Sequence, residues 1–151
     1  MDIGIAKETA VGETRVAATP ETIKKLVAQG HKVAVESGAG MAASVTDAAY
    51  QAAGAQIVDR AAALAADLVL AVRAPAAVEL PQLKKGAALI GMLNPFDAEG
   101  LNNLAAAGLT SFALEAAPRT TRAQSMDVLS SQANIAGYKA VMMAADKYQR
   151  F

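Results

Sequence analysis

The chain has 151 residues, 54% of them hydrophobic, and its fourteen basic residues balance fourteen acidic ones. That length is one ordinary domain able to bury roughly two-thirds of its unfolded surface, and the even charge argues against a nucleic-acid surface or a polybasic membrane anchor. Without cysteine there are no disulfides or thiolate metal sites. MDIGIAKET has an acid at Asp2 and no long apolar core, unlike a signal peptide, and no apolar run approaches the ~20 residues of a membrane helix. The sequence reads as a soluble chain whose partners are small molecules or proteins.

Short apolar runs alternate with helical stretches, the pattern of a parallel sheet covered on both faces. The fold expected is α/β: a three-layer, mostly parallel, doubly wound, Rossmann-like sheet ending in a long helix. Ile3 to Ala6 forms the first strand. Thr19 caps the first helix, Pro20 suits its first position and Glu21 its dipole. Ile23, Leu26 and Val27 share one face, Lys24 and Lys25 turn away, and Gly30 ends it. His31, the only histidine, enters the strand Lys32 to Glu36 at the amino edge, where a solvated role is expected. A helix from Asp47 to Ala53 closes at Gly54, followed by the strand Gln56 to Val58 and a helix over Arg60 to Ala66. Strands at Leu68 to Val72 and Ala88 to Met92 come next, then a helix over Ala98 to Ala107 before Gly108, then the strand Thr110 to Leu114. Beyond Arg122 the pattern becomes one long helix. Leu129, Ala133, Ala136, Gly137, Ala140 and Ala144 make a small-residue face on it, and DKYQRF supplies no stop signal.

Two stretches carry candidate chemistry. SGAGMAAS, from Ser37, places Gly38, Gly40 and Ala43 in the spacing of a dinucleotide loop, with Asp59 about twenty residues on. The helix caps read at Ser44 and Thr46 come too late for that loop, so an ordinary glycine turn is the favoured reading. The second is RTTRAQSMDVLSSQ, which crowds hydrogen-bonding side chains where a helix begins. Buried without partners, each would cost ~1–3 kcal/mol, so they face solvent or hold a polar ligand.

Open parallel sheets bind ligands at the carboxyl ends of their strands. Lys7, Glu8 and Arg15 follow the first strand, Arg73 the fourth, Asn94 the fifth, and Glu115, Arg119 and Gln124 the sixth. Arginine suits carboxylate or phosphate and Asn or Gln suits a carboxamide, although each also reads as a solvated loop residue. One histidine and no cysteine leave no metal-ligand set and no serine triad.

KETAVGETRVAATPETIKKLVAQGHKVAVESGAG, YQAAGAQIVD, VRAP, LNPF and RAQSMDVLSSQANIAGYKAV together resemble the N-terminal part of the NAD(H)-binding component of proton-translocating NAD(P) transhydrogenase, in the alpha-subunit family of the alanine dehydrogenase/transhydrogenase superfamily. The resemblance covers the whole chain and is most specific in RAQSMD and SSQANIAGY. It implies a Re/Si-specific enzyme passing hydride from NADH to NADP+, coupled to proton movement. NAD(H) would be the cofactor, with Arg119, Gln124 and Asp127 serving the reaction and, with Ser130, the cofactor; no metal is implied. Partner components would hold NADP(H) and span the membrane. The NAD(H)-binding component would be a homodimer, cytoplasmic and peripheral on the inner membrane. The family's second Rossmann subdomain, with its glycine fingerprint, is absent from this chain, so an isolated fragment is expected to be inactive.

Two alternatives remain at this stage. An alanine dehydrogenase-like fragment fits Arg15, which matches that family's substrate-carboxylate binder. Arg73 and Asn94, however, stand where that family has a catalytic lysine and histidine, and neither can exchange a proton near neutral pH. The other alternative is a non-catalytic module associating through the small-residue face.

Overall fold

A computed structural model describes residues 1–149 of the chain. They form two compact units, Met1–Ala113 and a second that begins at Leu114. In the first unit the chain runs β1 (Asp2–Ile5), α1 (Pro20–Ala28), β2 (Lys32–Glu36), α2 (Asp47–Ala52), β3 (Gln56–Val58), α3 (Arg60–Leu64), β4 (Leu68–Arg73), β5 (Ala88–Met92), α4 (Ala98–Ala106) and β6 (Thr110–Ala113). All strand pairs are parallel, and the order across the sheet is β3-β2-β1-β4-β5-β6. The doubly wound α/β fold expected from the sequence is therefore present, and its order reverses between β1 and β4.

Period-two alternation divides the core between two faces. Ile3, Ile5, Val33 and Val35 pack with Ile23 of α1 and Tyr50 of α2. On the other side Val69 and Leu89 pack with Ala63 and Leu64 of α3 and Leu104 of α4. Gly4, between Ile3 and Ile5, points to that second side, where a Cβ would stand 1.8 Å from the carbonyl oxygen of Ala63. The missing side chain is what lets α3 lie directly on β1.

Each helix of this unit starts on a side-chain cap. Thr19, Thr46, Asp59 and Asp97 accept from the backbone N–H groups of Thr22, Ala49, Ala62 and Glu99, contacts worth ~1 kcal/mol apiece. Asp59, placed in sequence like the acid of a dinucleotide fingerprint, thus serves as the cap of α3. That helix ends at Leu64, earlier than the expected Ala66.

The second unit opens with 3-10 turns at Leu114–Ala116 and Thr121–Met126 and continues as α5 (Val128–Lys147). The long helix does not begin directly beyond Arg122, as its composition implied. Asp127 is non-helical, with φ −74° and ψ 89°, and its carboxylate caps the helix by accepting from Ser130 N–H. At the other end the Tyr148 N–H closes on the Ala144 carbonyl; the last two residues of DKYQRF lie outside the described residues. Among the described residues no helix is long and apolar enough to cross a membrane.

Gly4→Ala should destabilise the protein by about 1–3 kcal/mol or more, because the added methyl meets backbone that cannot rotate away. Thermal denaturation followed by circular dichroism measures it; an unchanged midpoint would show that α3 does not rest on β1 as described.

Candidate functional site

The glycine-rich stretch after β2 is a closed turn. Gly38 has φ 75°, and its N–H donates to the Asp47 carboxylate at 2.9 Å while the Ser37 hydroxyl donates to the same group at 2.7 Å. An intramolecular carboxylate therefore sits where a phosphate would have to sit. A Cβ at Gly40 would fall 2.7 Å from the Tyr50 ring, and Tyr50 in turn donates to the Ala18 carbonyl at 2.9 Å. The glycines fit a turn against a buried tyrosine; of the two expected caps Thr46 starts α2, while Ser44, left-handed at φ 61°, ends a short 3-10 turn instead.

At the carboxyl edge of the first unit, charged side chains tie strand ends together. Arg60, at the start of α3, donates to Glu36 at 2.8 Å, to the Lys7 carbonyl at 2.9 Å and to Glu79 at 2.9 Å through Nε. It thereby links the ends of β2 and β1 to the loop after β4. Glu8 accepts from the backbone N–H groups of Val72 at 2.6 Å and Arg73 at 3.2 Å. Burial pushes the Glu8 carboxyl above its usual range, against those two hydrogen bonds, which lower it. Glu13 receives Arg15 through Nε at 2.7 Å and Nη2 at 2.6 Å, and Arg73 through Nε at 2.9 Å. The Arg15 contacts, ahead of those from Arg73, hold its carboxyl down at about 2. Sequence reasoning singled out Lys7, Glu8, Arg15 and Arg73 but missed Glu13, Glu36, Arg60 and Glu79; only the Glu13–Arg15 spacing hinted at a pair.

Asn94, after β5, adopts the left-handed conformation with φ 53° and lines a cavity with Arg73, Met92 and Asp97. His31 is only half-buried, but its Nδ1 is buried and lacks a hydrogen-bond partner, so the expected solvated role holds for only part of the ring. Among the described residues no group of side chains could hold a metal ion.

The second unit contains a cavity of about 400 Å³ lined by Glu115, Arg119, Gln124, Asp127 and Ser130 together with Leu114, Pro118 and Leu129. All four residues that the resemblance singled out, Arg119, Gln124, Asp127 and Ser130, thus share one concavity. Local hydrogen bonds build it. The Thr120 carbonyl accepts from Ala123 N–H at 3.0 Å and the Gln124 carbonyl from Asp127 N–H at 3.3 Å, while Ala123 is buried beneath the turn. Asp127 then accepts from Ser130 through its backbone N–H at 3.0 Å and its hydroxyl at 2.6 Å, and the Ser131 hydroxyl donates to the Asp127 carbonyl at 3.0 Å. The Ser130 hydroxyl, then its N–H, draws the Asp127 carboxyl below its ordinary value, with a smaller contribution from the Arg119 charge. Arg119 and Gln124 are exposed, which leaves a cation and a carboxamide facing the concavity's solvent side.

Residues 4–136 match the family described as alanine dehydrogenase/PNT, N-terminal domain. The chain belongs to that family. It is 46% identical to the NAD(P) transhydrogenase subunit alpha of Cereibacter sphaeroides, over 100% of this chain and 29% of that relative. A crystal structure of transhydrogenase from Sinorhizobium meliloti superposes with a TM-score of 0.94 at 48% identity, covering 99% of this chain and 46% of that one. An alanine dehydrogenase 1 of Staphylococcus aureus (strain bovine RF122 / ET3-1) is more distant, at 34% identity over 96% of this chain and 38% of the relative. The chain thus spans less than half the length of each of these proteins, and its likeness is stronger to the transhydrogenases.

Ser130→Ala should raise the Asp127 pKa toward the ordinary carboxylate range. The Asp127 pKa is depressed in the folded state, so the cap is at full strength above that range and weakens as pH falls through the folded value. Carboxyl carbon shifts recorded against pH would follow the change, and an Asp127 midpoint indifferent to the substitution would remove Ser130 as its cause.

Proposed function

We propose that this chain provides the first part of the NAD(H)-binding component of an NAD(P) transhydrogenase, and that Arg119, Gln124, Asp127 and Ser130 orient the nicotinamide end of NAD(H). The observation that carries the reading is their convergence on one cavity in a chain that is similar to transhydrogenase alpha subunits. The donor set fits the cofactor. A carboxamide both donates and accepts, and the Gln124 amide can answer it with the complementary pair. Arg119 supplies a fixed positive charge for phosphate or a carbonyl oxygen.

NADH, when bound, supplies the hydride, and the protein groups do not have to move a proton. Their contribution is alignment: in a direct transfer, holding the reacting carbons in a near-attack geometry supplies much of the acceleration. Asp127 acts one step back from the cofactor. Its carboxylate is committed to Ser130, which fixes the first turn of α5 and the Ser130 hydroxyl with it.

The finer features follow from the same reading. The transfer is Re/Si-specific from NADH to NADP+, NADP(H) is held by a partner component, and another partner spans the membrane. The component works as a homodimer, cytoplasmic and peripheral on the inner membrane. An alanine dehydrogenase-like activity has less in its favour, because Arg73 and Asn94 offer no titrating group and the Arg15 guanidinium is engaged by Glu13.

Gln124→Ala in the complete complex should slow hydride transfer by ~100-fold through lost alignment while changing NADH affinity far less. Single-turnover transfer and NADH titration on the same variant decide the matter. Equal losses would make Gln124 a uniform binding residue, and an unchanged rate would return the turn to a solvated loop.

For this chain alone, NADH should bind weakly or not at all, since Asp47 takes up the donors of the glycine turn after β2. Titration by NADH fluorescence reads this directly, and micromolar affinity would contradict it.

A further inference from the structure

The second unit has almost no interior. Among the described residues from Leu114 onward only Ala123 is buried, at 6% exposure, and it stands immediately before Gln124 in the 3-10 turn Thr121–Met126. It also borders the cavity of about 400 Å³ that Arg119, Gln124, Asp127 and Ser130 line. Its N–H donates to the Thr120 carbonyl at 3.0 Å, one residue beyond Arg119. With three residues per circuit, successive side chains of such a turn point about 120° apart, so an inward Ala123 turns Gln124 outward. An exposed amide and an enclosed methyl are thus covalent neighbours, and whatever displaces the methyl displaces the amide.

We propose that Ala123 is a positioning residue for hydride transfer: the size of its side chain sets where the turn holds the Gln124 amide, and with it the alignment of the nicotinamide. The inference rests on the cofactor reading of this cavity and adds a residue that the reading does not use. Glycine would remove the anchor and free the backbone. A β-branched Val, stiff at χ1, cannot swing clear of a closed floor, so the turn has to lift. Neither change alters a group that would touch the cofactor, so alignment should suffer before affinity does. A misplacement of about 1 Å is enough to cost ~100-fold in rate.

The test is single-turnover hydride transfer and NADH titration on the complete complex, with Ala123→Val made in the wild-type and in the Gln124→Ala background. In the wild-type background Ala123→Val should slow transfer by ~100-fold and change NADH affinity far less. In the Gln124→Ala background it should slow transfer little further, because the amide it displaces is already gone. An equal factor in both backgrounds would mean that Ala123 does not act through Gln124, and equal losses of rate and affinity would mean that Val merely fills the cavity; either overturns the proposal. Ala123→Ser keeps the size, its hydroxyl is able to bond back to the preceding turn, and it should keep the rate; a Ser variant as slow as the Val variant would also overturn it. Circular dichroism identifies a Val variant that does not fold, and Ala123→Gly then takes its place under the same criteria. Gln124→Ala alone separates the inference from its premise: an unchanged rate there removes the cofactor reading, whereas a slow Gln124→Ala beside a normal Ala123→Val removes only the role of Ala123.

Discussion

The constraint on which the rest of the first unit depends is that all six strands run the same way. Parallel strands need crossover connections, which here lay helices on both faces of the sheet and bury the apolar residues of its central strands. The same parallelism brings every strand-to-helix loop to a single edge. Polar residues scattered over the first hundred positions meet there because they follow strands, and the Gly4–Ala63 approach keeps the middle strand thin enough for a helix to cover it. An edge crowded with charges must then satisfy them, which explains why an overall neutral chain contains so dense a local network: Arg60 bridges Glu36 and Glu79, and Glu13 joins Arg15 to Arg73.

What was legible in the sequence follows from how local each signal is. Lys32–Glu36, Gln56–Val58 and Ala88–Met92 have the expected bounds because an apolar run between turn residues is a local property. The same holds for α1, whose Thr19–Pro20 start and Ile23 face lie within one short window. The start of α5 was harder. Between Arg122 and Asp127 the composition tolerates a helix, and only the Asp127–Ser130 bond decides that the α-helix begins at Val128. Arg119, Gln124, Asp127 and Ser130 of the cavity were readable because they crowd a few consecutive turns, and the resemblance pointed to the same positions. The network around Glu13 and Arg60 was not readable, since Arg60 is distant in sequence from Lys7, Glu36 and Glu79 and nothing local ties them.

Two carboxylates held below their ordinary pKa illustrate different uses of the same group. Glu13 is lowered because cations surround it, which makes it a permanent counter-charge and unsuitable as a base. Asp127 is lowered by a neutral hydroxyl and a backbone N–H, which makes it a cap. Glu8 alone is raised, and its oxygens are taken up by the end of β4. Both oxygens of each of the three are engaged by hydrogen bonds, whereas general acid–base catalysis needs a carboxyl free to exchange a proton with a substrate.

That leaves alignment as the way such residues can accelerate a reaction, and alignment demands order in a segment made of exposed polar side chains. Arg119 and Gln124 have little burial to restrain them, and fixing a loop residue's backbone costs ~1–2 kcal/mol. The restraint comes from the turn itself: Ala123 anchored below, the Thr120 and Gln124 carbonyls closing successive 3-10 bonds, and Asp127 clamping the start of a twenty-residue helix. A helix of that length cannot tilt its first turn without breaking its own hydrogen bonds, so the capped end supplies a rigid base for the two side chains that precede it. In this reading the Asp127 carboxylate contributes to chemistry without touching it, by converting helix rigidity into the position of Gln124.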